Sequence, residues 1–289
     1  VPPRYLIAFW GLETNYGSYL GSVPTLNALA TLACDPRRSE FFANEFVDAL
    51  QLVEREALPL ERLRGSWAGA VGHTQFMPSS YLRYAVDGDE NGQVDLWQSE
   101  RDALASGANF LRSLGWVPGQ RWGRLVILPP GFPYERAGLD QVQTLSAWAA
   151  LGVQRADGGA LPSLELDASL LLPAGHQGPA FLVYDNFRVV MRWNQSQSYA
   201  LSVGLLADRL AGAPPLVLPE SLSRPLRKDD IASAQRALNT LGHDAGVADG
   251  VVGTRTRAAL RDFQLEQGLP ADGYPDPRTL EALNAAALP

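Results

Sequence analysis

The chain is 289 residues long, with 46% hydrophobic and 19% charged residues and a formal net charge of −7. Its length allows two domains or one large core with a satellite, and its composition excludes a mainly disordered chain. Apolar runs such as "LVIL" and "SLLL" are far too short to cross a bilayer, and the scattered basic residues of an acidic chain give nucleic acid nothing to bind.

The first predicted helix begins almost at residue 1, so upstream residues, including any export signal, are expected to have been removed. Within "LIAFWGLETNYGSYLGS", Leu6, Phe9, Trp10 and Glu13 fall at helical spacing on one apolar stripe. A carboxyl placed there pays desolvation when ionised and holds its proton toward neutral pH, as a general acid must. The competing reading is a rim glutamate paired with an arginine such as Arg4.

Further helices are predicted over "TLNALATLACDP", over "SEFFANEFVDALQLVEREAL" with Ser39 as N-cap, and over "SERDALASGANFLRSLGW" with Ser99 as N-cap. Cys34, the single cysteine, lies in an apolar helical pattern and is expected to be a buried, inert thiol. His73, His176 and His243 are too widely separated for a zinc motif.

The long segment between the second and third of these helices is punctuated by glycine, serine and proline. In "GSWAGAVGHTQFMPSSY", glycines permit close backbone approach, Gln75 offers a donor and an acceptor, and Trp67, Phe76, Met77 and Tyr81 offer flat faces. That combination suits a sugar, and equally a packing loop. In "DGDENGQVD", Asp87, Asp89 and Asn91 alternate, Gly92 is sixth and Gln93 seventh, as in the first half of an EF-hand loop. The twelfth residue is Gln98 instead of glutamate, so Asp102, four residues on, is the candidate that closes a longer variant of the loop around a structural Ca²⁺; the competing reading is a solvated acidic turn.

From about 122 to 193 the pattern turns β-rich, in "RLVILPP", "SLELDASLLLP", "PAFLVYD" and "FRVVMRW", with a helix expected over "LDQVQTLSAWAALGV". This reads as a small mixed α/β insertion in a mainly α (α+β) chain. "NQSQSYALSVGLLADRLAG" returns to helix with Asn194 or Ser196 as cap, and 212–226 is a proline-rich linker. Beyond it, "ADGVVGTRTRAAL" (248–260) and "ADGYPDPRTLEAL" (271–283) are an internal repeat, identical at seven of thirteen positions. Residues 227–289 therefore form a small helical module, whose thin core suits a binding unit.

Taken in order, "GLETNYG", "GSWAGAVGHTQFMPSSYLRYAVD", the aspartate loop, "NFLRSLGW" and "RWNQSQSYALSV" resemble the lytic murein transglycosylase B family over residues 1–211. The repeat module is similar to the peptidoglycan-binding domain, with its signature running from Leu241 to Gly273. The resemblance implies a lysozyme-like helical catalytic domain that cleaves the β-1,4 MurNAc–GlcNAc bond without water and releases a 1,6-anhydromuramoyl product. It makes Glu13 the catalytic residue, and Ser66, Gln75, Phe76, Tyr81, Phe110, Trp193, Asn194 and Tyr199 substrate-binding residues. Relatives often carry tyrosine where this chain has Phe110 and Trp193. No second carboxylate comes with these motifs, so one glutamate is expected to serve as acid and then base, without an organic cofactor. A hydrolytic muramidase and a non-catalytic wall-binding protein are the alternatives. The expected partner is the peptidoglycan glycan strand in a bacterial periplasm or cell envelope, with membrane anchoring only through a segment outside this chain.

Overall fold

The computed structural model describes residues 1–219 and 226–287; part of the proline-rich stretch 212–226 thus lies outside the described residues. The chain forms two compact units, one from Val1–Gly119 and Asn186–Pro214, the other from Gln120–Asp185 and Pro215–Pro289. Helix dominates both, and no described helix is long and apolar enough to cross a membrane.

The first unit holds α1 (Pro3–Thr14), α2 (Thr25–Ala33), α3 (Ser39–Arg55), α4 (Pro78–Tyr84), α5 (Glu100–Ser113), all but the first residue of α7 (Asp185–Trp193) and α8 (Gln197–Leu210). A two-stranded ribbon, β1 (Val23–Pro24) against β2 (Arg64–Gly65), ties the segment after α1 to the glycine-rich loop. Leu29, Phe42, Leu52, Leu63, Val71, Phe76, Tyr81 and Leu96 form its main core. In α1 the buried positions are Tyr5, Ala8, Phe9 and Thr14, so Leu6, Trp10 and Glu13 are half-buried beside the stripe instead of forming it.

Ser99 caps α5 as expected, its hydroxyl accepting from the Asp102 N–H, and Ser196 caps α8 through the Tyr199 N–H. Ser39 does not cap α3. It is the first helical residue, and its hydroxyl donates to the Ala33 carbonyl at 2.6 Å, satisfying the end of α2 instead. Cys34 is exposed, at the C-terminal end of α2, where the apolar pattern has already run out.

The second unit contains a five-stranded antiparallel sheet in the order β4 (Val142–Thr144), β6 (Asp167–Leu171), β7 (Ala180–Val183), β3 (Gly123–Ile127), β5 (Gln154–Arg155). Two expectations fail here. "LDQVQTLSAWAALGV" is split, because Val142–Thr144 pairs with β6 and only α6 (Leu145–Ala150) is helical, capped by Thr144. "FRVVMRW" is not a strand but the body of α7, whose buried residues Asn186, Phe187, Val189 and Val190 cluster on a helical face and do not alternate.

The same unit includes the C-terminal helices α9 (Lys228–Thr240), α10 (Thr254–Glu266) and α11 (Pro277–Ala286), around Leu238, Leu260, Phe263 and Leu283. The repeat is a repeated polar knot. Gln235 Nε2 donates to Asp249 Oδ1, the Val251 carbonyl and Thr256 Oγ1, while Gly250 N–H donates to Gln235 Oε1. Gln264 does the same with Asp272, Tyr274, Thr279 and Gly273. These contacts satisfy buried polar groups in a core too small to be held by apolar area alone.

Candidate active site

Glu13 occupies the last turn of α1, which stops at once because Asn15 and Tyr16 take the left-handed conformation, with φ of 49° and 57°. Trp193, the last residue of α7, donates its indole N–H to Glu13 Oε1 at 3.0 Å. The Tyr199 hydroxyl, in the first turn of α8, donates to the same oxygen. No described protein group donates to Oε2. Around the carboxyl stands an aromatic wall: Phe9 lies 4.4 Å from Trp193 between ring centroids, Phe110 5.2 Å and Phe76 5.4 Å.

Burial pushes the Glu13 carboxyl above the ordinary glutamate range, and the donations from Tyr199 and Trp193 offset only part of that rise. Burial, reinforced by the neighbouring Glu13 charge, drives the Tyr199 phenol far up as well, so Tyr199 stays protonated and acts purely as donor. The arrangement gives the two carboxyl oxygens different work. Oε1 is held, and Oε2 is the oxygen able to carry and exchange a proton.

The other residues implied by the resemblance divide into groups. Phe76 and Phe110 join Glu13 through the Trp193 ring, but Phe76 is only 2% exposed and has no face to offer a sugar. Tyr81 is 1% exposed, and its hydroxyl donates to the Val94 carbonyl at 2.7 Å, making it a core residue. Ser66 Oγ accepts from the Ala68 and Ala70 N–H groups and so shapes its own loop. Gln75, at φ 50°, donates to the Leu20 and Gly72 carbonyls and ties that loop to the segment after α1. Its Oε1 has no partner among the described residues. Asn194 is exposed, with Oδ1 accepting from Ser196 N–H at the turn into α8.

The mutual contacts of four positioning residues, Trp10, Thr14, Gly17 and His73, were not read from the sequence. Trp10 donates to His73 Nδ1 at 3.0 Å, and Thr14, 2% exposed, donates to the His73 carbonyl at 3.1 Å. A Cβ at Gly17 would lie 2.3 Å from His73 Cε1, so only glycine permits this contact, and φ 77° demands it too. Burial lowers His73 below its ordinary range, which keeps Nδ1 an acceptor and locks the end of α1 against the glycine-rich loop. The glycine four residues after Glu13 was the available signal.

In the aspartate loop, Asp87, Asp89 and Asp102 each bring an oxygen within 4.8 Å of the others. Asp102 is fully buried, its oxygens accepting from Gly88 N–H and Asp95 N–H at 2.8 Å each. Asp87 is held below the usual carboxylate range, mainly by the Gly92 N–H. Asn91 Oδ1 accepts from Gln93 N–H, and Ser99 donates to Asp89. An all-oxygen set with three carboxylates and no described cationic partner fits a hard cation such as Ca²⁺.

A transglycosylase SLT domain model matches residues 1–208, and a peptidoglycan binding domain model matches 227–283. The chain belongs to the transglycosylase SLT-domain family. Membrane-bound lytic murein transglycosylase B of Escherichia coli is 35% identical over 213 residues, covering 73% of this chain and 57% of that protein. The chain thus spans little more than half the length of that curated relative. SltB3 from Pseudomonas aeruginosa, solved in complex with NAG-anhNAM-pentapeptide, is 47% identical with a TM-score of 0.92, covering 98% of this chain and 76% of the other. The lytic transglycosylase Slt35 of Escherichia coli, solved in complex with calcium, is 34% identical with a TM-score of 0.63, covering 73% and 66%. These relatives support the mainly helical, lysozyme-like fold with its small β insertion and C-terminal helical module.

Proposed function

We propose that this chain is a peptidoglycan lytic transglycosylase with Glu13 as its sole acid and base. The observation that carries the reading is a desolvated carboxyl held through one oxygen and free at the other. Oε2, protonated at first, donates to the leaving glycosidic oxygen, while the N-acetyl group of the substrate stabilises the anomeric cation. The ionised Glu13 then takes the proton of the C6 hydroxyl as that oxygen closes on C1. Trp193 and Tyr199 stabilise the carboxylate in between and keep it aimed. Gln75 and Ser66 hold the adjoining loop, and Phe110 and Asn194 border the site.

Asp87, Asp89 and Asp102 would hold Ca²⁺, with Asn91 and Gln93 in the same loop, and the ion would fasten α5 to the segment ahead of it. The relative crystallised with calcium supports this assignment. The C-terminal module is assigned to glycan retention, and the working place to the bacterial cell envelope. Mass spectrometry of products from purified sacculi tests the reaction. Anhydromuramoyl ends, lighter by one water than a reducing end, are expected; reducing ends alone would mean a hydrolase, and no soluble product would leave a binding protein.

A further inference from the structure

On α10, Arg257 and Arg261 are four residues apart and so share a face. Neither guanidinium has an ion pair or hydrogen bond among the described residues, and Arg261 Nε is buried without a partner. Burial first and the neighbouring Arg261 charge second lower the Arg257 guanidinium from its ordinary value, and the attraction of Tyr274 and Asp272 offsets only part of that. Two like charges drawn together and partly desolvated are costly unless an anion joins them.

No nearby carboxylate forms an ion pair with either guanidinium among the described residues, although Asp272 lends Arg257 part of the missing charge. Asp272, 2% exposed, is already engaged: Oδ2 accepts from His176 N–H at 2.7 Å and meets His176 Nδ1 at 2.6 Å, and Oδ1 accepts from Gln264 and Tyr274. Asp140 makes no ion pair with Arg261, although both approach Gly138, where a Cβ would lie 2.4 Å from Asp140 Oδ1 and 3.4 Å from Arg261 Nη2. The pair is also absent from the other copy of the repeat, which has Leu280 and Asn284 at the equivalent positions. The framework common to the two copies therefore does not include it.

We propose that Arg257 and Arg261 form a carboxylate-binding site beside the Gly138 turn, taking a carboxylate of peptidoglycan; the identity of that ligand rests on the function proposed above. Guanidinium forks match carboxylates in pairs, which an isolated lysine does not. Peptidoglycan offers such groups at the ends of stem peptides and, once peptides are removed, on the lactyl arm.

The test is retention of the Glu13→Gln chain, which does not digest its ligand, on intact sacculi, on amidase-stripped glycan and on chitin, with and without Arg257→Gln plus Arg261→Gln. Roughly tenfold weaker retention of the double variant on intact sacculi is expected, with a shallower salt dependence. A loss confined to stripped glycan would assign the site to the lactyl carboxylate. Equal retention on both, or an equal loss on chitin, would overturn the proposal. Should the double variant melt early, competition decides on the unaltered arginines: D-alanyl-D-alanine should release the chain from intact sacculi and its C-terminal amide should not, and equal effects would overturn the stem-peptide assignment. Because retention needs no turnover, failure here is distinct from failure to find anhydro products.

Discussion

Two glutamates on helices of the first unit show how the surroundings of a carboxyl decide its role. Glu45, on α3, is 4% exposed, and both of its oxygens are occupied: Oε1 by the Ser79 hydroxyl at 2.6 Å and Oε2 by the Ser79 N–H at 3.0 Å. Ser79 lies in the first turn of α4, whose N-cap residue Met77 supplies no side-chain cap, so Glu45 caps that helix from a neighbour. Glu13 is less buried, yet only its Oε1 is engaged and its proton affinity is raised. A carboxylate with each oxygen directed at a fixed donor is structural. One with a held oxygen and a free oxygen can exchange a proton.

The largest expected effect is catalytic. Glu13→Gln should lower the rate on sacculi by roughly 10³-fold or more, since both proton transfers are lost, while the chain still binds glycan. Glu45→Ala should do the opposite, costing about 3 kcal/mol of stability by orphaning two donors, with a lowered Tm in thermal melts. If Glu45→Ala melts normally, or Glu13→Gln melts early, the division of roles fails.

Calcium sharpens the contrast, because Asp102 is as buried as Glu45 but meets two further carboxylates. Saturating Ca²⁺ at a hundredfold over its Kd should add about 2.7 kcal/mol, a rise of several degrees in Tm. Chelator should reverse it, and Asp102→Asn should abolish it; a Tm unmoved by either would remove the ion from the structure.

Smaller effects concern pH. Because the folded state raises the Glu13 pKa, its contribution to stability is full below the unfolded value and is lost as pH rises through the folded one. Glu13→Gln should therefore gain Tm relative to the parent as pH rises across that window. Tyr199→Phe removes a donor that lowers the Glu13 pKa, so the alkaline limb of the rate profile should move to higher pH. Trp193→Phe keeps the ring stack and loses one donation to Oε1, and should move the limb the same way by less.

Much of this was legible in the sequence because local signals and fold agree there. The aspartate loop, the caps at Ser99 and Ser196 and the two-copy module could be read from spacing and motif order, whereas Glu13 was picked out by its motif although the stripe drawn through it did not form. What escaped were matters of tertiary partnership. "FRVVMRW" has strand-like composition, yet its buried residues follow a helical face. Tyr81 and Phe76 stood in a loop that suited a sugar, and the core claimed both rings. The Trp10–His73 contact joins residues 63 positions apart, and no periodicity reports such a pair.

The central claim is that Glu13 alone performs both proton transfers. The most direct test is mass analysis of the soluble products from purified sacculi for the parent chain and Glu13→Gln at matched concentration. The single-carboxylate mechanism predicts anhydromuramoyl products from the parent and essentially none from the variant. Substantial anhydro product from Glu13→Gln, or products from the parent that carry the added water, would contradict it.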